Sequence, residues 1–323
     1  MENITNNKER HIWIDWMKVI GIYFIVLGHF FPNHYEYIYV FNVPVFFIIS
    51  GYLSKKESSN NIFLKKTLYN LFIPMFLMSF LNHIYINKYD IINNEYNILS
   101  FYEFIYGIIK GNHPILGACW YIYALIILKI LFQYTPFAIF LTIAFLSPFI
   151  SLYLNNNLDY IYRNYIAFNI FLSCPLYAIG IIIKKYSINM VSDNKLKYIF
   201  ILSLILAFFC GKYNGEVWLY QNGYGKNILL FFIGAVSGTF AIFAISKFIS
   251  NKIKFPLIKD ISNSTILIMG LHWNILQLFY KLSINNSFLP YIYSFIIIAL
   301  FIPVWYFCRT YIPLLVGIYK IKK

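Results

Sequence analysis

Acidic side chains are scarce: Asp and Glu number 12 in 323 residues, against 26 Lys and Arg. All charged residues make up only 12% of the chain, about half of what a soluble domain carries. No hydrophilic stretch is long enough for a separate soluble domain and no internal repeat is visible, so residues 1–323 read as one membrane domain. Cysteine is sparse too. Cys119, Cys174, Cys210 and Cys308 have no metal-ligand spacing and lie in or near apolar runs, which predicts small buried side chains. His11, His34, His83 and His113 fall at interfaces or loops and form no metal set, so no metal is expected. A cleavable signal peptide is also not expected, because the first apolar run is too long for a signal core and lacks a small-residue cleavage site.

What the chain does have is apolar length. Hydrophobic residues make up 60%, with 33 Phe and 30 Tyr, and mean hydropathy is +0.64. Runs of about 20 apolar residues predict transmembrane helices, whereas a β-barrel would show short alternating segments. The fold class is therefore all-α, a polytopic integral membrane protein. Ten spans are expected, at about 12–31, 37–53, 68–86, 115–133, 136–154, 165–183, 197–213, 227–249, 264–282 and 290–310. Residues 87–114 form a mixed segment whose 101–109 portion is too short to cross. Ten spans put both termini on one side, and 19 Lys and Arg fall in the loops of that side against 6 in the others. The positive-inside rule then makes both termini cytoplasmic, and it accounts for the net charge of +14 without nucleic acid.

The first span is the unusual one. It carries Asp15, Lys18 and His29, although a charge at mid-bilayer costs roughly 2.5–3.5 kcal/mol. At 100° per residue, Asp15, Lys18, Ile22, Ile25 and His29 share a narrow arc, which should face protein rather than lipid. A neutral histidine in such a cavity is suited to take a proton from a hydroxyl. Asp15 and Lys18, three residues apart, equally fit mutual neutralisation. In the second span, Pro44 opens the helix and Ser50-Gly51 allows a close backbone approach. Behind it, Lys55, Lys56, Lys65 and Lys66 make a basic cytoplasmic cluster, read either as ordinary positive-inside charge or as a phosphate site. Trp120 and Tyr121 fit packing or a stacking wall, and His272, near the middle of the ninth span, fits a core histidine or a second proton carrier.

Together these motifs resemble the membrane-bound acyltransferase family 3, and most closely its fucose 4-O-acetylase-like branch. The match begins with Asp15-x-x-Lys18, ten residues and His29, followed by Phe41-Asn-x-Pro44-x-Phe-Phe-x-x-Ser50-Gly51-Tyr52. Phe63-Leu-Lys65-Lys66 leading to Pro74, the Trp120-Tyr121-Ile122 motif, and Asn263-Ser264 with His272 follow in family order. Asn42 stands where the family's run has histidine, and Tyr69 where a second basic residue is common.

The resemblance implies an O-acetyltransferase of the bacterial plasma membrane, the inner membrane in a Gram-negative cell. The acyl group, usually acetyl, would move from acetyl-CoA to a hydroxyl of a cell-surface glycan such as O-antigen or capsule. The implied catalytic residues are His29, Lys18, Asp15 and His272. The implied donor-binding residues are Lys55, Lys56, Lys65, Lys66, Ser50, Tyr52 and Trp120, with the pantetheine arm along the polar face of the first helix. The implied partners are membrane lipid, a glycan or lipid-linked sugar acceptor, and other envelope-polysaccharide enzymes. The competing class is a transporter, flippase or polymerase of a lipid-linked polysaccharide. Transporters are expected to show internal repeats and paired broken helices, and polymerases a large arginine-bearing outer loop.

Overall fold

The computed structural model describes residues 10–93, 95–157, 165–186, 192–253, 255–283 and 287–319. Among the Lys and Arg used for topology, Lys8, Arg163, Lys254, Lys320, Lys322 and Lys323 lie outside them. The described residues form no named strand, only an isolated bridge between Asn112 and Tyr165. The helices are α1 (Ile12–Gly28), α2 (Glu36–Tyr39), α3 (Pro44–Leu53), α4 (Asn60–Thr67), α5 (Ile73–Ile86), α6 (Lys88–Ile92), α7 (Ile98–Lys110), α8 (His113–Leu116) and α9 (Trp120–Tyr134). The remainder are α10 (Phe137–Asn157), α11 (Ile166–Lys185), α12 (Asp193–Asn214), α13 (Ile228–Lys252), α14 (Ile258–Ser283) and α15 (Leu289–Tyr311).

Among the described residues, eight helical stretches are long and apolar enough to cross a membrane: Glu36–Leu53, Asn60–Ile86, Gly117–Tyr134, Phe137–Asn157, Phe168–Lys185, Lys195–Asn214, Ile228–Lys252 and Leu289–Tyr311. Of the ten segments expected to span, α1 and α14 are the two outside this set. α1 is 17 residues long, or about 25 Å, and α14 carries Asp260, Asn263, His272 and Asn274. These two helices pack on each other, and Ser262 of α14 reaches Asp15 of α1 across that contact.

Local chemistry sets the breaks. Pro44 starts α3 because a first-turn proline needs no N–H donor, so the second span is two helices, α2 and α3, joined by a turn. A wider π turn over Leu68–Phe72 joins α4 to α5, where Pro74 stands in the first turn. α7 keeps Phe104, Gly107 and Ile108 buried and leaves Ile98, Tyr102 and Ile109 exposed, as a short surface-lying helix requires.

Glycines set the closest helix contacts. A Cβ on Gly51 of α3 would lie 1.9 Å from the Tyr177 carbonyl oxygen of α11, and one on Gly180 would lie 2.0 Å from the Ile48 oxygen. The two backbones therefore touch, as Ser50-Gly51 predicts. All four cysteines are buried and free of disulfides.

Candidate active site

α1 ends at His29, and α14 brings His272 beside it, with ring centroids 5.0 Å apart and planes tilted by 37°. His272 is 1% exposed. Its Nδ1 lies 2.6 Å from the Ile268 carbonyl oxygen, which can only accept, so Nδ1 carries the proton. Nε2 is thereby left with a lone pair, buried and without a hydrogen-bond partner among the described residues. Trp273 packs edge-on to His29 at 5.4 Å. Both histidines line a cavity of about 350 Å³, together with Trp120, Tyr121, Trp218 and Tyr220. An uncommitted nitrogen next to a second imidazole, in a roomy aromatic chamber, is an arrangement for moving a hydroxyl proton.

A second cavity, about 190 Å³, lies toward the other end of the same helices. α9 gives Trp120 and Tyr121 to the first and Lys129 and Gln133 to the second, a rise of about 12–20 Å. The second is lined by Lys55, Lys66, Lys129, Glu57, Ser54 and Tyr177, among others. Glu57 organises its basic wall: its carboxylate takes Lys66 at 2.9 Å and Lys55 at 3.9 Å. Gln133 clasps the Glu57 backbone at both N–H (2.9 Å) and C=O (3.1 Å).

Hydroxyl groups run between the two cavities along α3. The Tyr121 hydroxyl lies 2.8 Å from Ser50 Oγ and donates to the Phe46 oxygen at 3.0 Å. One turn on, Ser54 Oγ donates to the Ser50 carbonyl at 2.7 Å and meets the Tyr177 hydroxyl at 2.5 Å. Tyr121 lines the histidine cavity, and Ser54 and Tyr177 line the lysine cavity.

The residues expected to act together are thus distributed. His29 and His272 share one cavity, with Trp120 beside them rather than with the lysines. Lys55 and Lys66 share the other; Lys56 instead donates to the Thr135 carbonyl that ends α9, and Lys65 is exposed and outside the cavity lining. Ser50 sits between the cavities. Tyr52 faces a separate apolar slot against Trp13 and Phe243. Asp15 and Lys18 lie about 21 and 16 Å from His29 along α1, outside its cavity. Asp15 is buried and takes a two-pronged contact from Arg10 (2.7 and 2.8 Å) and a hydrogen bond from Ser262 of α14 (2.6 Å). Its partner is therefore Arg10, not Lys18, which makes no ion pair within 4.0 Å among the described residues. Asn42 turns its Oδ1 to the Val43 N–H (2.8 Å), and Tyr69 stacks on Tyr319 at 3.8 Å.

Two contributors escaped sequence reasoning. Lys129 reads as one more cytoplasmic-side charge, although its place within an apolar run marks it as unusual. Trp218 is one aromatic in a chain that is 21% aromatic, and nothing around it signals a cavity.

No curated protein and no solved structure matches the chain. The Acyl_transf_3 family, described as an acyltransferase domain, matches residues 11–309, which include α1, both cavities and α14. With that match over nearly the whole length, the chain belongs to acyltransferase family 3 and is a membrane acyltransferase.

Proposed function

We propose that this acyltransferase moves an acetyl group from acetyl-CoA to a hydroxyl of a cell-surface glycan such as O-antigen or capsule. It acts in the bacterial plasma membrane with both termini in the cytoplasm. The similarity of its first two motifs to the fucose 4-O-acetylase-like branch supports a sugar acceptor. The observation that carries the reading is the histidine pair at 5.0 Å in a chamber of about 350 Å³, set apart from a lysine-lined cavity at the opposite end.

In this reading Lys55, Lys66 and Lys129 hold the phosphates of coenzyme A as ammonium point charges. The pantetheine arm follows α3, where the hydroxyls of Tyr121, Ser50, Ser54 and Tyr177 match its amides, rather than the closed Asp15–Arg10–Ser262 face of α1. The thioester then reaches the histidines. His29 takes the proton of the acceptor hydroxyl as its oxygen bonds to the thioester carbonyl carbon. The carbon–sulfur bond breaks, the thiolate leaves with its electron pair, and the proton on His29 passes to it. His272 lines the same chamber, and the lone pair on its Nε2 accepts a hydrogen bond from protonated His29.

Deleting the gene is expected to remove ester-linked acetyl groups from the surface polysaccharide, read by NMR. Complementation with the wild type restores them; His29→Ala and His272→Ala, present in the membrane at wild-type levels, do not. Unchanged acetylation, with altered chain length or lost export, would overturn the reading.

A further inference from the structure

The histidine chamber has a roof built from two segments. One is the turn after α1, where Phe31 has φ 49° and His34 φ 63°. A phenylalanine in the left-handed region is strained and persists only where its surroundings fix it. Here they do: Phe31 packs on Tyr35 (5.6 Å), Tyr39 (6.3 Å) and Trp218 (6.2 Å). The other segment is the loop 215–227 between α12 and α13, which delivers Trp218 and Tyr220 to the chamber.

That loop is stiff. Trp218 and Gly223 exchange both backbone hydrogen bonds at 3.0 Å. Buried Asn214 donates to the Tyr224 oxygen (2.6 Å) and accepts from the Asn227 N–H (2.8 Å). Asn222 is tied to α10 by Ser151 and Asn155, each at 2.8 Å. Gly225, at φ 81°, passes so near Asn214 that a Cβ would lie 2.5 Å from its side chain.

One carboxylate links the two segments. Glu216 accepts from the Tyr35 hydroxyl on one oxygen (2.5 Å) and from the Trp218 indole N–H on the other (3.2 Å). Burial first, then this bond to Glu216, pushes the Tyr35 phenol up to about 12, so it keeps the proton it donates. The indole N–H edge is committed to Glu216; Tyr39 (5.2 Å), Tyr220 (6.0 Å) and Tyr35 (6.3 Å) also pack on the ring, which still lines the chamber.

We propose that this roof is the acceptor subsite: Trp218 stacks on the apolar face of a sugar ring above the histidines, and Glu216 is the positioning residue that holds the indole there. The inference rests on the acyl-transfer reading and adds the residue that selects a cyclic sugar. A rigid aromatic surface suits a ring with a flat C–H face, and the histidines beside it meet the ring hydroxyls. A free hydrocarbon chain would gain nothing from two imidazoles.

The test uses the full-length protein in proteoliposomes with radiolabelled acetyl-CoA, and methyl pyranosides against the matching open-chain alditols as acceptor probes. The wild type is expected to favour pyranosides over alditols. Trp218→Ala should raise the pyranoside KM about tenfold or more, on the scale of losing one base-stacking aromatic, with much smaller changes in kcat and in the acetyl-CoA KM. Trp218→Phe should recover part of the loss. Glu216→Gln and Tyr35→Phe should each raise the pyranoside KM severalfold, and the double variant should do no more than the worse single one. The acetyl-CoA KM of each variant also reports that it has folded. Equal use of alditols, a fall in kcat at constant KM, or donor turnover without transfer to any pyranoside would overturn the subsite alone. A wild type that neither binds nor turns over acetyl-CoA would overturn the acyl-transfer reading, and the subsite with it.

Discussion

Asp15 and Lys18 share a helix face with His29, yet each has a different predicted behaviour. Asp15→Asn keeps a group for Ser262 but loses the charged contact with Arg10, whose side chain is 42% exposed and so partly screened by water. The expected cost is about 1–2 kcal/mol, seen as a fall of a few degrees in the Tm of detergent-solubilised protein. Turnover per folded molecule should drop less than about tenfold, because Asp15 is too far along α1 to touch reacting atoms. A total loss of activity at unchanged Tm would return Asp15 to the chemistry. Lys18→Arg is expected to keep activity, since charge without a paired geometry is what the structure gives that position; the assay is acetyl transfer at saturating donor. The histidines were legible as residue types because a membrane span rarely carries them without cause. That Arg10 would claim Asp15 was not legible, because Ser262 and Asn263, which complete the clamp, come from α14.

Helices α3 and α11 meet backbone to backbone at Gly51 and Gly180, and the hydroxyls of Ser54 and Tyr177 depend on that spacing. Gly51→Val has no room for its side chain, because the nearest atom is a carbonyl oxygen and not a movable side-chain end. The expected loss is about 3 kcal/mol or more, checked by thermal unfolding followed by fluorescence-detected size exclusion. Gly223→Ala, against only the Trp218 backbone and Cβ at 3.2–3.3 Å, should be much milder. At this scale the eight helices long and apolar enough to cross a membrane were legible from hydropathy, and Ser50-Gly51 announced a close approach. Its partner was not, since Gly180 lies in an apolar run like any other. Element ends were also hidden: α14 starts at Ile258, before the apolar window begins, because polar residues facing neighbouring helices lower hydropathy without breaking the helix.

Across the whole molecule, the charge split predicts which surface each cavity meets. The native cysteines are buried, so a cysteine placed at Ser58, after α3, or at Lys226, before α13, reports alone. A charged maleimide added to intact cells should label Lys226→Cys and spare Ser58→Cys until the cells are opened; the reverse pattern would invert the topology. The helical class and the existence of a basic end were legible from composition, whereas the division into two chambers was not, because Lys129 and Trp218 join their chambers only through packing. The hydroxyl ladder between the chambers has an electrical consequence. In the proposed reaction, donor phosphates at the lysines would stay on one side, and what would pass Ser50 and Tyr121 is an uncharged acetyl thioester along hydroxyls that already bond one another. A unit charge crossing 100 mV exchanges about 2.3 kcal/mol with the field. Turnover along this route moves none, so each cycle should be silent in voltage-clamped bilayers, and the rate should be the same in energised and depolarised vesicles.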